Sequence, residues 1–113
     1  MNKTTKDSNW NQWEEEVAHD FGKQVPGSGR TDFDKLDVDS LDFRFDCKTT
    51  ESKSYSVSIK DWTKYSQQAN DEGKDFGLPI RFIDPVKKIP VGLDLIVINY
   101  ETFKALVENQ KDN

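Results

Sequence analysis

The stretch Lys35-Leu-Asp-Val-Asp-Ser-Leu-Asp-Phe-Arg-Phe-Asp-Cys-Lys48 decides how the chain is read. In its second half Leu41, Phe43, Phe45 and Cys47 alternate with Asp42, Arg44, Asp46 and Lys48. Period-two alternation marks a strand with one buried face. It puts Asp46 and Lys48 on the same polar face, their Cα atoms about 6–7 Å apart. A further carboxylate, Asp37, precedes the strand. Two carboxylates can hold a hard divalent cation, and a neighbouring ammonium can steady a developing anion or a water poised to attack.

Working outward, Trp10, Trp13, Val17 and Phe21 fall at helical spacing with Glu14, Glu15 and Glu16 between them. This predicts a helix over Asn9–Phe21, capped by Ser8 or Asn9 and ended by Gly22, after a loose polar start over 1–8. Val25-Pro-Gly-Ser-Gly-Arg30 reads as a turn. Strands are expected at Leu36–Asp39, Leu41–Thr49 and Ser54–Val57. Ser58 opens a second helix with Asp61 at the capping-box position, an inward stripe of Trp62, Tyr65, Ser66 and Ala69, and an end near Gly73. Leu78–Ile83 and Leu93–Ile98 are apolar enough for buried strands, and Asn99 caps a last helix carrying Phe103, Leu106 and Val107. The order α-β-β-β-α-β-β-α predicts a single domain over 1–113, an α/β sandwich with a central mixed sheet flanked by helices.

Composition bounds the reading. A chain of 113 residues can bury one core, which at 34% hydrophobic content is lean, although seven Phe, three Tyr and three Trp each carry much area. The lone Cys47 excludes an internal disulfide and suits a reducing compartment. No run of 18 apolar residues and no signal-peptide stretch is visible, so a soluble cytoplasmic protein without a membrane partner is expected. The net charge of -5 argues against nucleic-acid binding. Against that, Lys48, Lys53, Lys60 and Lys64 outnumber Glu51 and Asp61 over 48–64, and acid between Asp32 and Asp46 would be partly neutralised by bound cations.

Taken in order, the glutamate-bearing helix, the Pro-Gly-Ser-Gly turn, Lys35-Leu-Asp-Val38, Asp46-Cys-Lys48 and Ser54-Tyr-Ser56 before a Trp-bearing helix resemble the PD-(D/E)XK nuclease superfamily. Within it they are most similar to the phage and archaeal Holliday-junction-resolvase-like branch. The resemblance covers roughly residues 10–100. It implies a restriction-endonuclease-like α-β-β-β-α-β core and a Mg²⁺- or Mn²⁺-dependent endonuclease acting on branched DNA, commonly as a homodimer, in a bacterial or phage-infected cytoplasm. Two positions depart from the pattern: Asp46 stands where Glu is usual, and Leu36 where phage relatives often carry Gly.

The resemblance also assigns roles. Asp37 and Asp46 would ligate metal with the backbone carbonyl of Cys47 as a third oxygen, and Glu14 would complete the shell directly or through water. Glu15 and Glu16 compete with Glu14, because helical phase alone does not decide between them. Lys48 would contact the scissile phosphate or the attacking water, with a pKa lowered by burial beside metal. Ser28, Gly29 and Arg30 would form a phosphate-contacting loop, with Lys53, Ser54, Ser56, Lys60 and Lys64 along the DNA backbone. Simpler readings stand beside these: a solvated ion pair for Asp46 and Lys48, a tight turn at 28–30, an edge strand at Ser54 and Ser56. Cys47 points to the core and His19 to solvent, so neither is assigned chemistry. Alternative functions are a nuclease for linear, nicked or flapped DNA, and a non-catalytic acidic DNA mimic on the same fold.

Overall fold

Strand β5 (Asp75–Ile83) is the axis of the sheet, and its sequence explains why. From Phe76 to Ile83 every residue but Phe82 is buried, the near-continuous burial of a strand covered on both faces. The computed structural model describes residues 5–25 and 36–111. Before β5 come α1 (Thr5–Phe21), β1 (Gly22–Gln24), β2 (Val38–Ser40), β3 (Phe43–Phe45), β4 (Lys48–Thr50) and α2 (Ile59–Asp71); β6 (Pro90–Ile98) and α3 (Tyr100–Lys111) follow it. One edge of β5 pairs in parallel with β3 and then β4, and the other pairs antiparallel with β6. Strands β2 and β1 extend the sheet beyond β3, both antiparallel. Among the described residues the result is a mixed α/β fold with six strands and three helices.

The predicted strand Leu41–Thr49 is interrupted, and the interruption falls on Asp46 and Cys47. Phe45 lies opposite Gly77 and Lys48 opposite Ile80, so the register continues across the gap. Asp46 donates its N–H to the Gly77 carbonyl at 3.1 Å. In a parallel ladder the Asp46 carbonyl would then accept from residue 79, which is Pro79 and has no N–H. A proline in the central strand thus loosens the backbone at the most acidic point of the sheet. Leu41 lies in a bend and is 88% exposed.

Helices cover both faces. Trp13, Val17 and Ala18 of α1 pack on Val38, Phe45 and Cys47. On the other face Ala69, Trp62 and Tyr65 of α2 join Leu36, Phe76, Leu78 and Ile80. The expectation of one buried face for the 41–48 stretch is therefore corrected: Arg44 and Asp46 are buried as well. Arg44 is accommodated because Nη1 reaches both carboxylate oxygens of Glu72 at 2.7 Å and Nη2 reaches the Leu36 carbonyl at 3.2 Å.

Four further expectations change. The first helix starts at Thr5, within the segment expected to be loose, and Gly22 passes directly into the unforeseen strand β1. Ser54–Val57 is not a strand; it leads in irregular form to Ser58, whose hydroxyl caps α2 by accepting from the Asp61 N–H at 3.1 Å. Strand β6 is not buried: Val91, Leu93, Leu95 and Ile96 are each about half exposed. Helix α3, capped by the Asn99 side chain, leaves Tyr100, Phe103 and Leu106 exposed too.

Candidate active site

Three segments meet at the interruption between β3 and β4. Asp37 lies just before β2, anchored by its N–H to the Phe45 carbonyl at 2.7 Å and by its carbonyl to the Val25 N–H at 2.9 Å. Its Oδ2 accepts the Cys47 N–H at 2.9 Å, so the carboxylate is clamped on the gap. Asp37 and Asp46 are both nearly inaccessible, and their carboxyl groups share a hydrogen bond. Lys48 Nζ stands 3.4 Å from Asp46 Oδ2, as expected for one strand face. Glu14 approaches from α1, half-buried and hydrogen-bonded to Gln24.

Electrostatics follow from this crowding. Burial, opposed by Lys48 and reinforced by Asp37, pushes the Asp46 carboxyl up to about 7. Burial first and then Asp37 push Glu14 to about 7 as well, with Gln24 and Lys48 pulling the other way. Burial would lower Lys48, but the charges of Asp46, Tyr55 and Asp37 outweigh it and hold the ammonium above its ordinary value. Burial raises the Cys47 thiol, which leaves it inert as a nucleophile.

The helix glutamates separate clearly. Glu14 faces Asp37 and Lys48, Glu15 is exposed, and Glu16 pairs with Arg81. The Cys47 carbonyl is engaged by Trp10, whose Nε1 donates to it at 3.1 Å, which uses one of its two lone pairs. Lys53 and Ser54 are exposed after β4, and Lys60 and Lys64 are exposed on α2. Ser28, Gly29 and Arg30 lie outside the described residues. Among the described residues no three His, Cys, Asp or Glu side chains form a closed ion-binding cluster. The donor chemistry still fits a hard cation that keeps several waters: oxygen donors only, with the Asp46 carboxyl buried beside Asp37 and pushed up to about 7.

Several participants had no pattern to announce them. Trp10 read as part of the helix stripe, Tyr55 sat between Ser54 and Ser56, and Gln24 was given no role. Tyr55 and Ser56, with Asp61, Trp62 and Tyr65, wall a cavity of about 120 Å³ that opens beside Asp46 and Lys48. The aromatic-interleaved Ser54-Tyr-Ser56 motif was the available signal for it. No protein family, curated protein or solved structure matches the chain.

Proposed function

We propose that this protein is a divalent-metal-dependent DNA endonuclease that cuts phosphodiester bonds in four-way or other branched junctions. The observation that carries the reading is the buried Asp37–Asp46 pair, clamped at a strand interruption with Lys48 3.4 Å away. A buried carboxyl pair is costly unless something uses it. The order α1, β2, β3/β4, α2, β5 is compatible with the restriction-endonuclease-like core that the sequence resembles.

Asp37 and Asp46 would hold Mg²⁺ or Mn²⁺ with the remaining lone pair of the Cys47 carbonyl, and Glu14 through water. The bound ion supplies positive charge against the phosphoryl oxygens and the departing alkoxide. The Lys48 ammonium stays protonated, so its part is to donate to a phosphate oxygen as negative charge grows there. The Cys47 N–H and the Trp10 indole fix the orientation of the Asp37 carboxylate and of the Cys47 carbonyl. Lys53, Lys60 and Lys64 offer exposed charge along the backbone path, which predicts strong salt dependence.

A junction needs two symmetric cuts, and one protomer offers one site, so the working unit is a homodimer. The apolar residues left exposed on β6 and α3 support this. Val91, Leu93 and Leu95 with Ile96 on the opposite side of β6, and Tyr100, Phe103 and Leu106 on α3, are each about half exposed or more, apolar area of the kind that the core of a protein interface buries. A long apolar edge strand is also an aggregation hazard when left unpaired. The first helix is the weaker candidate, because Trp13 is buried and Trp10 is tied to Cys47. The test is nicking of a four-way junction in Mg²⁺. Paired cuts on opposite strands support the reading; equal cutting of linear duplex moves the assignment to a general nuclease.

A further inference from the structure

The cavity beside Asp46 and Lys48 has no task in the chemistry described above. It is formed where the irregular segment 55–58 folds over α2 and the face of β5, and is lined by Tyr55, Ser56, Asp61, Trp62, Tyr65 and Phe76 as well as by the two site residues. Its lower wall is aromatic and fixed: the Trp62 and Phe76 rings meet edge to face at 4.8 Å, and Tyr65 lies 6.4 Å from Phe76. Its lining also has polar members, Ser56 and Asp61, both exposed to solvent. A volume of about 120 Å³ is of the order of the ~150 Å³ enclosed cavity that accepts one benzene ring, and with its mouth open to solvent it suits a single six-membered ring better than a fused pair.

We propose that this cavity is a nucleobase subsite that takes an unstacked pyrimidine from a nucleotide flanking the scissile phosphate. This rests on the nuclease reading and adds to it a base preference and a reason for favouring distorted DNA. A flat ring on an aromatic wall gains stacking that is available to any base, whereas the size of the cavity selects the single ring. Asp61 supplies an acceptor and no donor, so among pyrimidines it selects cytosine, whose N4 amine donates, over thymine, whose O4 accepts. Unstacking a base is cheapest near a branch point, where the helix is already interrupted. A base seated here, next to Lys48, would place its own phosphate at the carboxyl pair and so help to set the position of the cut.

The experiment is a metal-free titration of the full chain with dCMP, dTMP, dGMP and 2-deoxyribose 5-phosphate, followed on the three tryptophan indole N–H signals by heteronuclear NMR. The Trp13 indole, bonded to the Pro79 carbonyl at 3.2 Å on the other face of the sheet, is an internal reference. The Trp62 signal, assigned with Trp62→Phe, should move with dCMP, less with dTMP, and not with the base-free sugar phosphate. Asp61→Asn should abolish the dCMP preference, a change of about tenfold in relative affinity for one charge-assisted hydrogen bond. Equal responses to dCMP and to the sugar phosphate, or none at Trp62, overturn the proposal, as does a preference for dGMP. No turnover is needed, so cleavage without a Trp62 response leaves the nuclease standing and removes the subsite. A Trp62 response without cleavage in any metal does the reverse.

Discussion

Replacing Asp37 by Asn should make the metal-free protein more stable and the metal-loaded protein inactive. Asp37 is buried against Asp46, whose carboxyl is raised from 3.8 to about 7. That net shift of about three units corresponds to ~4 kcal/mol; burial raises it most, Lys48 opposes it, and the neighbouring Asp37 carboxylate adds a smaller share, on the order of 1–2 kcal/mol. Asparagine keeps an oxygen for the Cys47 N–H and gains an N–H for Asp46, but the bond to Cys47 weakens from charged to neutral, a loss of about 0.5–1 kcal/mol. The net expectation at pH 8 in chelator is a gain of roughly 1 kcal/mol, or about 4 °C in Tm for a domain of this size. In millimolar Mg²⁺ the order should invert, because wild type gains binding free energy and the variant does not. Thermal unfolding followed by circular dichroism, with chelator and with Mg²⁺, measures both. A variant that is less stable in chelator and responds to Mg²⁺ like wild type would refute the mutual repulsion on which the site is built.

The pH dependence has a definite sign. Glu14 and Asp46 are both raised to about 7, so the folded state holds protons that the unfolded chain releases near pH 4. Their contribution is present below about pH 4 and lost as pH rises toward 7, so metal-free stability should fall between pH 4.5 and 7.5 and then level. A rise in denaturant midpoint across that window would contradict the assignment. Lys48→Ala should preserve the fold and most junction affinity while cutting single-turnover rate a hundredfold or more, on the scale of lost electrostatic stabilisation; parallel losses in binding and rate would make it a phosphate anchor. Arg81→Ala should cost about 2–3 kcal/mol in urea unfolding, because Arg81 joins Asp94 at 2.9 Å to Glu16 and lies 4.2 Å over the Trp13 ring. Leu95→Lys on β6 should halve the sedimentation mass and leave Mg²⁺ binding unchanged; an unaltered mass would move the interface elsewhere.

What could be read from the sequence was local. Trp13 and Val17 at helical spacing, Ser58 with its Asp61 partner and Asn99 as a cap were all visible, because a helix and its cap are encoded within a few residues. The shared face of Asp46 and Lys48 followed from strand geometry alone. What stayed hidden depended on residues far along the chain. Arg44 reads as a solvent position until Glu72, twenty-eight residues away, accepts its guanidinium. The gap at Asp46 and Cys47 is set by Pro79 in a strand that has yet to be reached. The apolar run of β6 suggested burial, but α2 packs chiefly on β5 and only Val97 of the run joins its cluster, so most of the run remains exposed. Tyr55, seven residues along the chain, helps hold the Lys48 ammonium above its ordinary value, and nothing local announced that contact.

The most direct test of the central claim is single-turnover cleavage of a fixed four-way junction in Mg²⁺, set beside Ca²⁺ and beside Asp46→Asn in Mg²⁺. The account predicts paired nicks on opposite strands with wild type in Mg²⁺, binding without cutting in Ca²⁺, and no cutting by Asp46→Asn. Absence of any cleavage by wild type in Mg²⁺ or Mn²⁺, or undiminished cleavage by Asp46→Asn, would contradict it.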